Sequence, residues 1–351
     1  MRCWELASIT DVPGVLVGHA EDREGLTGCT VVLAMDGAVA GVDVRGSAPG
    51  TRETDLMRPC NLVEKVHAIM LAGGSAYGLD AACGAMKFLE EHGVGFDTGF
   101  GVVPIVGGAV IFDLDIGDPK SRPDCEMGYL ACKNASSCSQ GEGNIGAGCG
   151  ATVGKLCGPE YAMKGGLGTW CVNLGLSSDS SDRQISILVG AIVVVNALGN
   201  IVDSESGKII AGAYDRKTRQ FLSKTYQAHT PGNSKCSFAG FAGNTTIGVV
   251  VTNAILSKEG ANKVAGMAHD GLARIIRPVH TMYDGDTIFA LSTGTASLTG
   301  NTAADISAIG EAAAYSMEIA VIRGVKNASG LGLIPDASNL HVGDREQKIG
   351  K

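Results

Sequence analysis

The chain alternates short, densely apolar runs with punctuation rich in glycine, serine and asparagine, and that spacing sets the elements it predicts. Residues 66–72 (VHAIMLA) form a run of strand length that ends at Gly73-Gly74-Ser75. A helix is expected over 77–92, stopped by Gly93. Residues 102–114 read as a strand broken by Pro104 and Gly107-Gly108, and 115–150, rich in Gly, Ser, Asn and Asp, as a long irregular excursion. Strands resume at 184–195 and 201–203, joined by the turn Ala197-Leu198-Gly199-Asn200. A polar, turn-rich stretch over 213–243 is the best linker candidate. It is followed at once by the β-branched strand 245–254 (TTIGVVVTNA). Ser257 is placed to cap a helix over 258–274, 287–292 is a strand, and 303–324 is a second long helix.

Composition narrows the class. Apolar residues make up 45% and charged residues 18% of 351 positions, and mean hydropathy is +0.17, which implies a large interior or an oligomer that buries much of its surface. The 51 glycines follow no collagen-like period and imply many tight turns. A net charge of −8, a pI of about 5.4 and the absence of any Lys/Arg cluster argue against a nucleic-acid partner. None of the 11 cysteines forms a C-x-x-C pair or shows zinc-ligand spacing, so reduced packing thiols and no metal or other cofactor are expected. Met1-Arg2-Cys3-Trp4-Glu5 does not open a signal peptide. The apolar run 185–202 is interrupted by Ser186, Gly190, Asn196 and Gly199-Asn200, so no membrane span is expected and the location reads as cytoplasmic.

The most informative position is Thr245. A turn-rich linker ends in Gly243-Asn244, and the next residue opens a buried strand. An N-terminal-nucleophile hydrolase needs this placement, because its nucleophile uses its own α-amine, with a pKa of about 7.7–8, as the base. Pattern alone favours an ordinary linker-to-strand junction with a buried threonine.

Resemblance reverses that preference. The string Gly243-Asn244-Thr245-Thr246-Ile247-Gly248-Val249-Val250-Val251-Thr252-Asn253 resembles the cleavage-site signature of one self-processing family. This is the family of L-aminopeptidase/D-amidase/D-esterase enzymes, β-peptidyl aminopeptidases and the endo-acting 6-aminohexanoate-oligomer (nylon) hydrolase. The likeness extends to AGGSAYGL at 72–79, GVVPIV at 101–106, AVIFD at 109–113, GCGATVGK at 148–155, Val195-Asn196 and Asp284-Gly285-Asp286-Thr287.

The resemblance implies an α/β fold, a four-layer αββα sandwich with two mixed β-sheets in a single domain. It also implies autocleavage between Asn244 and Thr245 into 1–244 and 245–351, fragments that stay associated in a homo-oligomer, often a tetramer. Thr245 matches the nucleophile and Asn196 the oxyanion donor. Lys155 matches a lysine of the nylon-hydrolase branch. Asp284 and Asp286 stand where aminopeptidase members carry Ser-x-Glu and are expected to orient the Thr245 amine and hydroxyl. Tyr77 and Asp113 are substrate-contact candidates, more often structural than functional. The bland readings are a turn Asn at 196, a solvated loop Lys at 155 and an Asp-Gly turn at 284–286.

Two decoys fail. A P-loop ending at Lys155 needs Gly at 149 and Ser or Thr at 156, where this chain has Cys149 and Leu156. Gly73-Gly74 lacks the G-x-G-x-x-G spacing. No histidine pairs with a nucleophile motif, which leaves no Ser-His-Asp triad. The expected activity is hydrolysis of amide bonds in small peptides, aminoacyl amides or ω-amino-acid oligomers. The alternatives are an acyltransferase of the ornithine-acetyltransferase type and a non-catalytic small-molecule binding protein.

Overall fold

The computed structural model describes residues 8–175, 186–222, 243–300 and 302–340. Nine strands share one hydrogen-bonded path: β1 (Leu16–Asp22), β2 (Thr27–Val44), β3 (Thr51–Arg52), β4 (Lys65–Ala72), β5 (Val106–Val110), β6 (Gly166–Asn173), β7 (Leu188–Asn196), β8 (Thr245–Ala254) and β9 (Thr287–Ala296). Their order is β6-β7-β8-β9-β2-β4-β5-β3, with β1 paired to β2. The pairs β8–β9 and β4–β5 are parallel and the others antiparallel, so the sheet is mixed.

The 18-residue strand β2 turns this one path into two facing sheets. Cys29–Leu33 pair with β4, the pairing with β4 resumes after a register slip at Ala38–Val39, and Val39–Val44 pair with β9. The two mixed sheets of the sequence expectation are therefore two ends of one sheet folded at β2. Side chains alternate across each strand. Val32, Ile69, Ile192, Val194, Val249 and Phe289 fill the core between the sheets. Val193, Val250 and Ile288 pack outward on helices α3 (Lys258–Ile275) and α4 (Thr302–Lys326). Val31, Met70 and Val110 pack outward on α1 (Ala81–Glu91). The layers run helix, sheet, sheet, helix.

Ser257 caps α3 by accepting from Gly260 N, as its position predicts. The helix expected over 77–92 instead opens with a 3₁₀ turn, Ser75–Asp80, before α1. The stretch 115–150 is not wholly irregular. It holds helix α2 (Cys125–Lys133), capped by Asp124 on Met127 N. Small residues let α2 lie almost backbone-to-backbone on α1, where a Cβ on Gly128 would fall 1.9 Å from Ala81 O. The start of the expected linker is also ordered, with Tyr214–Asp215 paired to Gln220–Phe221, while 223–242 lie outside the described residues.

Cys29, Cys60, Cys83, Cys125, Cys132, Cys138, Cys149 and Cys171 are free thiols. Cys157 is disulfide-bonded, which corrects the expectation of uniformly reduced cysteines. Among the described residues no helix is long and apolar enough to cross a membrane.

Candidate active site

Strand β8 begins at Thr245 and is bonded on both sides from its first turns. Thr245 pairs with Asn196 at the end of β7, and Ile247 pairs with Thr287 at the start of β9. The preceding residue is held too, since Asn244 bridges to Asp284 and its carbonyl accepts from Gly285 N at 3.0 Å. Thr245 is 5% exposed, and its hydroxyl donates to the carbonyl oxygen of Asn244, the residue before it.

A left-handed Gly154 (φ 75°) turns the chain so that Lys155 points inward. Lys155 Nζ donates to Asn196 Oδ1 at 2.9 Å and lies 3.4 Å from the carbonyls of Asn196 and Gly243. Burial pushes its pKa down to about 8, partly opposed by Asp115, Asp284 and Asp113. Asn196 Oδ1 also accepts Thr152 N at 3.0 Å, while Nδ2 donates to Phe112 O at 2.9 Å and reaches Gly243 O at 3.5 Å. With lysine and a backbone N–H both on Oδ1, the amide is fixed with its NH₂ toward the residues before Thr245.

Asp284 and Asp286 reach this centre through backbone and neighbouring side chains. Asp284 Oδ2 accepts from Thr281 N at 2.8 Å and Thr281 Oγ1 at 2.6 Å. Asp286 Oδ1 accepts from Thr246 N at 2.6 Å, and Oδ2 accepts from His280 N at 3.1 Å and meets His280 Nδ1 at 2.8 Å. Burial, then repulsion from Asp286, raises the Asp284 pKa to about 6. Neither carboxylate bonds the Thr245 hydroxyl in the uncleaved chain, so any direct orientation of that group awaits a new amine. Sequence reading missed His280 and Thr281. Their signal is the spacing His-Thr-x-x-Asp-x-Asp, which a search for histidines beside a nucleophile passes over.

The site opens into a cavity of about 340 Å³ lined by Ala48, Pro49, Ser75, Val110, Phe112, Thr245, Met282 and Tyr283, among others. Among the described residues no group of three or more His, Cys, Asp or Glu is arranged to hold a metal ion.

A threonine at a strand start, a buried lysine–asparagine pair and an acidic turn thus meet at one cavity. The model of peptidase family S58 matches residues 7–334. This chain belongs to peptidase family S58. An "uncharacterized aminopeptidase" of Mycobacterium tuberculosis is 42% identical, over 96% of this chain and 98% of its own. A 6-aminohexanoate-oligomer endohydrolase of Kocuria sp. is 33% identical, over 90% of this chain and 85% of its own. In structure, this S58 chain resembles the L-aminopeptidase D-Ala-esterase/amidase of Ochrobactrum anthropi, described as a variant of the Ntn hydrolase fold. The TM-score is 0.69 at 18% identity, covering 97% of this chain and 94% of that one. A Burkholderia β-aminopeptidase gives a TM-score of 0.68 at 21% identity, with the same coverage. The S58 chain is a hydrolase of amide bonds with the Ntn fold.

Two expected substrate contacts sit elsewhere in this S58 structure. Tyr77 is 61% exposed and stacks on the Arg122 guanidinium at 3.8 Å, off the cavity lining. Asp113 is buried, and its carboxylate accepts from Thr27 Oγ1 at 2.8 Å and Gly74 N at 2.6 Å. It braces the Gly73-Gly74 turn beneath the cavity, because a loop whose backbone amides would otherwise be buried unpaired needs an acceptor.

Proposed function

We propose that the chain cleaves itself between Asn244 and Thr245, and that the freed Thr245 hydrolyses the amide bonds of small peptides, aminoacyl amides or ω-amino-acid oligomers. The observation that carries this reading is the Thr245 hydroxyl lying against the carbonyl of its own preceding peptide, at the floor of the cavity and the start of a buried strand. After cleavage the Thr245 α-amine accepts the hydroxyl proton, Oγ attacks the substrate carbonyl, and the amine of the substrate departs. Water then hydrolyses the threonyl ester. Lys155, a buried cation beside this point, favours the neutral form of the new amine. The Asn196 amide, freed from Gly243 O once the 243–244 segment moves away, serves the substrate oxyanion.

Strand β8 lies between β7 and β9, so the two fragments stay joined by sheet hydrogen bonds after the cut. The low charged fraction is compatible with a homo-oligomer, and the family resemblance favours a tetramer. The cavity lining just described carries no charged side chain among the described residues, which favours aliphatic acyl segments over charged ones.

Intact-mass spectrometry tests the reading. Wild type is expected as two species whose smaller one begins at Thr245, and Thr245→Ala as one inactive full-length species. A two-fragment Thr245→Ala protein would refute it. A panel of aminoacyl p-nitroanilides with linear 6-aminohexanoate oligomers then ranks the substrates.

A further inference from the structure

We infer that the backbone N–H of Gly285 is the oxyanion donor for the self-cleavage step, a task separate from that of Asn196. The inference rests on Thr245 being the self-cleaving nucleophile. Gly285 N donates to the Asn244 carbonyl oxygen at 3.0 Å, the oxygen on which negative charge develops when that peptide is attacked. Asn196 Nδ2 and Lys155 Nζ, by contrast, contact the Gly243 carbonyl, one residue earlier. The scissile carbonyl is therefore held by the acidic turn rather than by the lysine–asparagine pair.

The turn that carries this N–H is rigid. Ala48 N donates to Asp284 O at 2.9 Å, Arg45 N and Gly46 N to Asp286 O at 3.0 and 3.2 Å, and Thr287 Oγ1 to Gly285 O at 2.9 Å. Asn244, Asp284 and Asp286 are each at most 2% exposed, so water does not compete for the bond. A donor fixed before reaction and shielded from solvent stabilises developing charge without reorganising, which is the condition for a large electrostatic effect. The residue type follows from the same closeness. A Cβ at 285 would lie 2.7 Å from Ala48 O and 3.0 Å from Thr245 Oγ, so glycine lets the amide approach without blocking the attacking hydroxyl.

In the step itself, a bond forms between Thr245 Oγ and the Asn244 carbonyl carbon, and the carbonyl π pair moves onto the oxygen facing Gly285 N–H. The pair returns as the bond from carbon to Thr245 nitrogen breaks, and the hydroxyl proton passes to that nitrogen, leaving a free amine and an ester. Water then splits the ester, giving the Asn244 carboxylate and restoring the Thr245 hydroxyl.

The test replaces Gly285 by glycolic acid in the full chain, converting one amide to an ester and deleting only that N–H. As a control, lactic acid at position 48 deletes the N–H that clamps Asp284 O and leaves Gly285 N–H intact. The expected result is self-cleavage slowed roughly 100-fold by the ester at 285, the order seen on loss of one oxyanion donor. The control is expected to slow it less than about tenfold, with fragments beginning at Thr245 throughout. Cleavage at the wild-type rate with the ester at 285, or equal slowing by the two esters, would overturn the inference and leave the nucleophile assignment standing. A wild-type chain that never exposes Thr245 would remove that assignment itself.

Discussion

Asp286 accepts the backbone N–H of Thr246 at 2.6 Å, so the residue after the proposed nucleophile, which stands opposite Val195 of β7, is also tied to the acidic turn. Asp286 is 1% exposed and its second oxygen meets His280 N and Nδ1, so the carboxylate is fixed from both sides. Asp286→Ala leaves a buried N–H without its acceptor, at a cost of about 1–3 kcal/mol. Because that N–H sets the direction in which β8 leaves Thr245, both self-cleavage and substrate turnover are expected to fall, each by roughly 10- to 100-fold. Asp286→Asn retains an oxygen acceptor and should lose less. Timed gels of the precursor and p-nitroanilide turnover of the cleaved product measure the two rates, and full activity in Asp286→Ala would remove the orienting role.

The buried pair Lys155 and Asp284 makes the precursor sensitive to pH in two windows. Burial holds the folded pKa of Lys155 near 8, below its ordinary 10.5, so its contribution to stability is lost as pH falls from about 10.5 to 8. Asp284 is raised from 3.8 to about 6, so its contribution is lost as pH rises from about 3.8 through 6. Each group also supports the charge of the other. Asp284→Asn should therefore lower the Lys155 pKa below 8, and Lys155→Met should raise the Asp284 pKa above 6. NMR titration of labelled side chains in the uncleaved Thr245→Ala chain reads both shifts, and movement in the opposite sense would contradict the coupling.

Lys164 is fully buried and donates to the carbonyls of Gly148, Ala151 and Gly165 at 2.9, 2.8 and 3.2 Å. Its pKa is brought down to about 7 by burial. The position supports the site indirectly, since Thr152, beside Ala151, donates to Asn196 Oδ1. Lys164→Met removes a buried donor from all three carbonyls, although Ala151 O keeps Gly165 N at 2.9 Å and Gly148 O keeps Ala151 N at 3.3 Å, and should cost about 1–3 kcal/mol. The wild type gains stability from this lysine as pH rises from about 7 to 10.5, because the unfolded chain binds the extra proton there. The variant should lose that rise, which thermal melts at pH 7 and pH 9.5 would reveal.

What was legible in the sequence was local. The start of β8 at Thr245, the Ser257 cap and the two long helices are written in neighbouring residues, and motif strings placed Asn196, Lys155, Asp284 and Asp286 around one strand end. What escaped needs pairing at a distance. Strand β2 joins both sheets because its first part pairs with β4 and its last part with β9, a partnership that no neighbouring residue announces. Helix α2 hides in a stretch of small and polar residues because its stability comes from close packing on α1, and composition reads that stretch as loop. His280 was passed over because its partner is a carboxylate of the acidic turn, six residues on. Tyr77 sits beside the cavity-lining Ser75 and Ala76 in sequence yet turns outward to Arg122.

Gly243 tests how tightly the residues before the proposed cut must fit. A Cβ there would fall 1.9 Å from Cγ of Phe112, a cavity-lining ring, so no side chain fits unless the ring or the backbone moves. The Gly243 carbonyl is the one reached by Lys155 and Asn196, and a shift of the backbone by a few tenths of an ångström would carry the Asn244 carbonyl out of line with the Thr245 hydroxyl. Misplacement on that scale costs orders of magnitude in rate when geometry is the source of catalysis. Gly243→Ala should therefore accumulate as uncleaved chain although Thr245 is intact. Phe112 Cβ would itself lie 2.1 Å from that added atom, so alanine at 112 would not relieve the clash. Phe112→Gly deletes ring and Cβ together, and the double variant Gly243→Ala/Phe112→Gly should recover cleavage relative to the single Gly243→Ala variant. Such non-additivity is the signature of two groups competing for one volume. Prompt cleavage of Gly243→Ala, or no recovery in the double variant, would show that this contact does not position the scissile peptide.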